Sequence, residues 1–168
     1  MMHVDRPSER DIKFVLSNLR ELDRHELDAT GCVFEQLPRL LLERSAFVFV
    51  AVDDFMMPQA IWGLMPTRHG VGNGYAFGTA NWGRALPAIM RNIKRFVLPY
   101  LMQHGFHRVE CLALAHRKDV ARFLAMIGAQ PEAVMRQWGT HGEDFTAYRW
   151  LADEYRARAQ DQDRHAAH

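Results

Sequence analysis

The stretch from Asn73 to Ala129 constrains this chain more than any other. It reads as a strand, a glycine-bearing turn, a long amphipathic helix, an apolar strand, a short helix and a closing glycine. The turn Thr79-Ala-Asn-Trp-Gly-Arg-Ala85 leads from the first strand into the helix. A strand that opens through backbone N–H groups onto a helix N-terminus is a ready site for an anion. A strand–helix–strand unit also calls for a sheet with helices packed on it, so the expectation is an α/β (α+β) three-layer domain with a mixed central sheet.

The flanking segments fit that layout. Ser8 with Asp11 three residues on predicts a helix start, and Ile12, Val15, Leu16 and Leu19 give its apolar stripe. The helical pattern resumes over Arg20–Asp28 and stops at Thr30-Gly31, and Phe34–Arg44 predicts another helix. Ala46–Val52 reads as a buried strand, Gln59–Met65 as its hairpin partner ended by Pro66, Thr67–Gly72 as a polar loop and Gly74–Thr79 as the next strand. Pro87 suits the first turn of the long helix, and Pro99 predicts a kink near Phe96. Val109–Ala115 reads as a strand buried on both faces, and Val134–Trp138 with Asp144–Trp150 as a final hairpin. The expectation is one domain over residues 1–150 and a polar tail over 151–168, either a frayed helix or disordered.

Composition narrows the function classes. A formal net charge of +1 gives no global basic footprint for nucleic acid. No apolar run approaches the roughly 20 residues that cross a bilayer. Cys32 and Cys111 are far apart and read as reduced thiols. His104, His107 and His116 have no zinc spacing, and no nucleophile elbow is present, so no metal centre is expected.

Two groups remain as sites. In the turn, Gly83 lets backbone approach a phosphate and Arg84 adds charge; the plain alternative is a turn that needs glycine for its dihedrals. On the second helix, Asp23 and Glu26 share a face and border the apolar stripe. Carboxylates so placed bind a cation, position an amine, or act as a base when burial raises their pKa. The alternative is intrahelical pairing of Glu21 with His25 and of Arg24 with Asp28. Arg84, Arg91, Lys94 and Arg95 read as a solvated helix face.

Three segments resemble the GCN5-related N-acetyltransferase (GNAT)-like domains of short-tailed bacteriophages, the internal virion protein A or phage acetyltransferase-like family. Asn18–Glu26 resembles that family's N-terminal N-x-R-x-x-D-x-x-E helix, Ala76–Thr79 its W-x-x-G-T strand end with Tyr75 in place of Trp, and Val120–Gly128 its closing helix. The resemblance implies a cofactor set of Thr79, Gly83, Arg84, Ala85 and Arg117, with Arg117 where the family has a cofactor-facing Asn, and Asp23 and Glu26 as the catalytic acids. The departures are Ala80 in place of the phosphate loop's cation or amide, Leu124 where active enzymes have a general-acid Tyr, Ala129 for Phe, and no Glu in the strand Gly74–Thr79. On this footing the chain is expected to be a virion or assembly protein on a degenerate GNAT-like scaffold. It would contact portal, tail or ejection proteins, in the virion and the host cytoplasm, with no certain cofactor. The alternative is an active N-acetyltransferase that uses acetyl-CoA.

Overall fold

A computed structural model describes the backbone of residues 1–166 and the side chains of residues 1–161. Its elements run β1 (His3–Asp5), α1 (Glu9–Ser17), α2 (Glu21–Ala29), α3 (Leu37–Arg44), β2 (Phe47–Val52), β3 (Pro58–Arg68), β4 (Val71–Gly78) and α4 (Trp82–Asn92). A π-helical turn (Ile93–Val97) leads into α5 (Leu98–Gln103), then β5 (Arg108–Leu114), α6 (Lys118–Met126), β6 (Gln130–Met135), β7 (Phe145–Leu151) and α7 (Ala152–Ala166). The strands form one seven-stranded mixed sheet in the order β1-β2-β3-β4-β5-β7-β6. The three-layer α/β expectation therefore holds.

Two apolar cores sandwich the sheet. On one face Ile12, Val15 and Leu16 of α1 and Leu41 of α3 pack on Val50, Ile61 and Phe77. On the other, Ile89, Leu98, Leu101, Phe123 and Leu124 from α4, α5 and α6 pack on Trp62, Tyr148 and Trp150. The alternation of each strand decides this split: Tyr75 and Phe77 face α1 and α3, while Ala76 faces α4.

The Ser8–Asp11 signal is a full capping box: Ser8 Oγ accepts from Asp11 N–H at 3.3 Å and Asp11 accepts from Ser8 N–H at 2.8 Å. Leu19 is not part of a continuing helix. It forms an isolated bridge with Thr79, and Arg20 N–H donates to Gly78 C=O at 3.0 Å, so the α1–α2 connection is pulled onto the end of β4.

Several expected boundaries move. β3 runs on through Pro66 with a register shift before Arg68, and the expected loop shrinks to a turn at His69-Gly70, where Gly70 takes φ +70°. α4 starts at Trp82, so Pro87 sits in its second turn and not its first, and Gly83 C=O loses its helical donor. The kink expected near Phe96 is the π-helical turn, a widening that precedes Pro99. β5 is only part-buried over Arg108–Leu112 and fully buried at Ala113 and Leu114, in place of the strand buried throughout. β6 begins at Gln130, upstream of the expected Val134, and Trp138 falls in the following turn beside Gln137 at φ +52°. After Leu151 the chain turns straight into α7. There Ala152 and Tyr155 pack on the helical core and Arg158 donates to Gly128 C=O at 3.0 Å; residues 167–168 lie outside the described residues.

The feature that positions the site is the pairing of β4 with β5. These parallel neighbours pair only at Val71–Arg108, Gly72–Val109 and Asn73–Glu110. Beyond those positions the strands diverge, and no strand fills the gap between Gly74–Gly78 and Cys111–Leu114.

Candidate functional site

The diverging strands leave backbone groups facing one another across the gap. Gly78 presents both: its N–H donates to Asp23 Oδ2 at 2.8 Å and its C=O accepts from Arg20 N–H. Gly74 N–H meets the Cys111 thiol. Residues two apart along a strand point the same way, so Ala76 N–H and C=O also face the gap. No pairing across to β5 reaches that far.

The wide end of the gap is closed by charge. Arg117, at the N-terminus of α6, has a fully buried side chain. It lies 2.9 Å from Asp23, 3.5 Å from Glu26 and 2.7 Å from Asp119, and donates to Leu22 C=O at 3.3 Å. Asp23 is 3 % exposed and also accepts from Arg20 Nε at 2.8 Å. Arg20 in turn approaches Asp119 at 3.3 Å and lies over the Trp82 ring. Glu26 Oε2 accepts from Leu114 N–H at 2.9 Å, while Oε1 takes no hydrogen bond among the described residues. Asp23 and Glu26 thus cap the last N–H groups of the two diverging strands, Gly78 and Leu114, with Arg117 between them.

Burial raises the Glu26 pKa, and Arg117 and the Leu114 N–H only partly offset that rise. Asp119 is lowered, chiefly by the hydrogen bond from Arg117. For Arg117 burial opposes the charge, and Asp119, Glu26 and Asp23 together overcome it. The intrahelical pairs weighed from sequence are not those that form: His25 faces Glu143 at 3.6 Å, and Arg24 donates to Leu16 C=O.

Below this lid lies a cavity of about 380 Å³ that reaches both faces of the sheet. Leu27, Cys32, Leu41 and Phe77 line it on the α1–α3 face, and Trp82, Leu101, Phe123 and Leu124 on the α4–α6 face. Its charged lining is Arg20, Glu26 and Asp119, all members of the ion cluster. Cys111 sits in the gap itself, its thiol pushed up to about 12 by burial. Tyr75 is also raised to about 12 by burial, and its hydroxyl pairs with Ser45 Oγ at 2.7 Å.

The turn after β4 has its own geometry. Thr79 is buried; its hydroxyl donates to Gln59 Oε1 at 2.7 Å and accepts from Asn81 N–H at 3.2 Å. Ala85 is a fully buried core methyl whose N–H donates to Asn81 C=O. Trp82 and Arg84 N–H groups are also used inside the turn, on Thr79 and Asn81 C=O. Gly83 keeps an N–H group with no partner among the described residues, whereas Ala80 N–H faces Asn18 C=O across the Leu19–Thr79 bridge. Gly83 has no positive φ, and an added Cβ there would meet nothing within 4 Å, so dihedral need does not explain it.

The structure therefore brings Asp23, Glu26 and Arg117 into one cluster and puts Gly83 and Arg84 on the rim, exposed. Thr79 and Ala85 are parts of the turn and core. Sequence reasoning missed Arg20 and Asp119, whose role depends on contacts between α2 and α6. It missed Cys111 and Trp150 as cavity residues because strand patterning shows a buried residue and not a gap beside it.

No family model matches this chain, and no curated protein matches it. Solved structures do. A spermidine N-acetyltransferase from Vibrio cholerae, in complex with CoA and spermine, superposes with a TM-score of 0.68 at 13% identity, covering 92% of this chain and 97% of the other. A ribosomal-protein-S5-alanine acetyltransferase from Vibrio fischeri gives 0.65 at 18% identity over 90% and 93%. A GCN5-related N-acetyltransferase from Kribbella flavida gives 0.67 at 15% over 89% and 97%. The chain has a GNAT-like acetyltransferase fold. Nothing in these matches supports the phage virion family. No helix among the described residues is long and apolar enough to cross a membrane.

Proposed function

We propose that this protein is an acyl-CoA-dependent N-acyltransferase whose donor arm lies in the gap between β4 and β5. The observation that carries the reading is the gap itself: a strand edge at Ala76 with free hydrogen-bonding groups, opening onto a cavity of about 380 Å³. An extended arm bearing amides can pair with such an edge as an added strand does. The free N–H group of Gly83, with exposed Arg84 next in the chain, suits the donor's pyrophosphate at the start of α4. That the structural neighbours include an acetyltransferase in complex with CoA agrees with this reading.

In the reaction an amine nitrogen attacks the thioester carbonyl. The C–N bond forms, the C–S bond breaks, and the proton then shed by the acylated nitrogen balances, through solvent, the one taken up by the leaving CoA thiolate. Before the attack the ammonium must lose a proton. Glu26 is the carboxylate that accepts it. Its side chain lines the cavity, its Oε1 is uncommitted, and burial makes it a stronger base than an exposed glutamate. Asp23, engaged by Gly78 N–H, Arg20 and Arg117, positions α2. The reaction does not need the tyrosine that Leu124 replaces if solvent protonates the leaving thiolate.

A role in a phage particle, with portal, tail or ejection partners, has no observation in its favour. Calorimetric titration with acetyl-CoA tests the acyltransferase reading. Micromolar binding that Gly83→Glu abolishes is expected. A folded protein that ignores millimolar acetyl-CoA and every longer thioester would end it.

A further inference from the structure

Strand alternation divides the cavity into two halves. Tyr75 and Phe77 of β4 pack in one cluster with Leu27 of α2, and Leu114 of β5 packs with Ala29 of the same helix, so these side chains share one face of the sheet. Ala76 and Cys111 face the other half, under α4 and α6. On the first face Glu26, Leu27 and Thr30 line the cavity from α2 and its cap, within about one helical turn. Cys32, Leu37 and Leu41 carry that wall into α3, and Met65 and Phe77 form its sheet side.

Polar groups in this half are few, and most are engaged. The Thr30 hydroxyl donates to Leu27 C=O at 2.6 Å, and the Tyr75 hydroxyl pairs with Ser45. Arg20 is held by Asp23 and Asp119. Asn73 lies at the last rung between β4 and β5, at the narrow end. Two carboxylates line the cavity. Asp119 accepts from Arg117 on both oxygens, whereas Glu26 keeps Oε1 without a hydrogen bond among the described residues. Trp138 also lines the cavity, is 44 % exposed, and packs on Phe145 of the Ala29–Leu114 cluster with ring centroids 4.8 Å apart. It therefore stands at the mouth of this half, an aromatic surface open to solvent.

One carboxylate beside an apolar wall fits one ammonium on an apolar body. A second ammonium carried in against Leu37, Leu41 and Phe77 loses its water and gains no partner. Resting on the acyltransferase reading, we propose that the acceptor is a monoamine with an aryl or branched alkyl body, its nitrogen at Glu26 and its body in the half-chamber under α2 and α3. The ammonium that must lose a proton then lies beside the base, and the gap at Ala76 and Cys111 is left to the donor arm. The cavity of about 380 Å³ is more than twice the ~150 Å³ that accepts a benzene ring, so a ring on this face leaves room for that arm.

The test measures thiol release from acetyl-CoA by the wild-type protein with phenethylamine, ethanolamine and spermidine, beside calorimetric titration with acetyl-CoA. Phenethylamine is expected to exceed both other amines at least about tenfold in kcat/KM, since burying its ring adds affinity. Cys32→Glu puts a second carboxylate on the chamber wall. That variant is expected to lose about tenfold with phenethylamine, to gain spermidine relative to it, and to bind acetyl-CoA as wild type does. Should it not fold, the wild-type series decides alone. A wild-type protein that prefers spermidine or ethanolamine, or does not discriminate, overturns the proposal and leaves the acyltransferase reading standing. A Cys32→Glu protein with the wild-type preference does the same. Acetyl-CoA binding with no turnover of phenethylamine overturns the acceptor class and keeps the donor site. Neither binding nor turnover removes both readings.

Discussion

Arg117 Nη1 lies 2.9 Å from Asp23 Oδ1, and through that contact the first turn of α6 is locked to α2 across the open end of the sheet. Both side chains are buried, so the pair is held where water cannot replace either partner. The cost of removing one charge is therefore much larger than for a surface pair.

Arg117→Met leaves buried Glu26 without its counter-charge and buried Asp23 with Arg20 alone. A loss of about 3–5 kcal/mol in unfolding free energy is expected at pH 7. Urea denaturation followed by tryptophan fluorescence measures it. By contrast, Arg39→Met breaks a pair with Glu43 that is exposed on both sides, and stability should change by under about 1 kcal/mol.

Glu26 gives stability a specific pH dependence. Its folded pKa is raised above the ordinary 4.5, so between that value and the raised one the folded state holds a proton that the unfolded chain has released. Its contribution therefore falls as pH rises through that window and is level above it. Glu26→Gln removes this term, since the amide oxygen still accepts from Leu114 N–H. The variant's stability relative to wild type should improve from pH 4.5 upward, then level off. A constant difference across the window, in denaturation at stepped pH, contradicts the buried-acid assignment.

Cys111 should be a slow thiol. Moving from 9.0 to about 12 lowers its thiolate fraction roughly a thousandfold at pH 8. Reaction with a disulfide reagent is expected to be slow in the folded protein and to reach the free-thiol rate in urea. Cys111→Ser identifies which phase belongs to it, since Cys32 is also raised by burial and lies in the same cavity.

Gly63 and Gly83 should respond oppositely to alanine. At Gly63 an added Cβ comes within 2.3 Å of the Tyr75 hydroxyl and 2.6 Å of Phe47 C=O, and that strand backbone does not yield. Gly63→Ala is expected to cost about 1–3 kcal/mol and to part Tyr75 from Ser45. At Gly83 there is open space, and alanine suits a helix better by roughly 0.5–1 kcal/mol, so stability holds or rises. On the acyltransferase reading Gly83→Ala still weakens CoA binding, because the methyl stands where a phosphate approaches. Denaturation and titration of the same two proteins separate these effects.

The sequence alone determined the local grammar of this fold. The Ser8–Asp11 box, the apolar run Phe47–Val52 and the stripes of α1, α4 and α6 each follow from propensity and periodicity, which act within a few residues of chain. The facing of Asp23 and Glu26 toward the core was legible for the same reason, from their spacing on one helix. Only the tertiary structure decided what those acids meet. Arg117, Gly78 N–H and Leu114 N–H come from three other elements, and no local pattern encodes their approach. The end of α1 was likewise set from outside, by the bridge of Leu19 to Thr79. The gap between β4 and β5 was equally invisible, because a strand that loses its neighbour after three rungs carries the same alternation as one that keeps it. The cavity between Ala76 and Cys111 is a consequence of that divergence, a property of how two strands lie in space and not of either strand's residues.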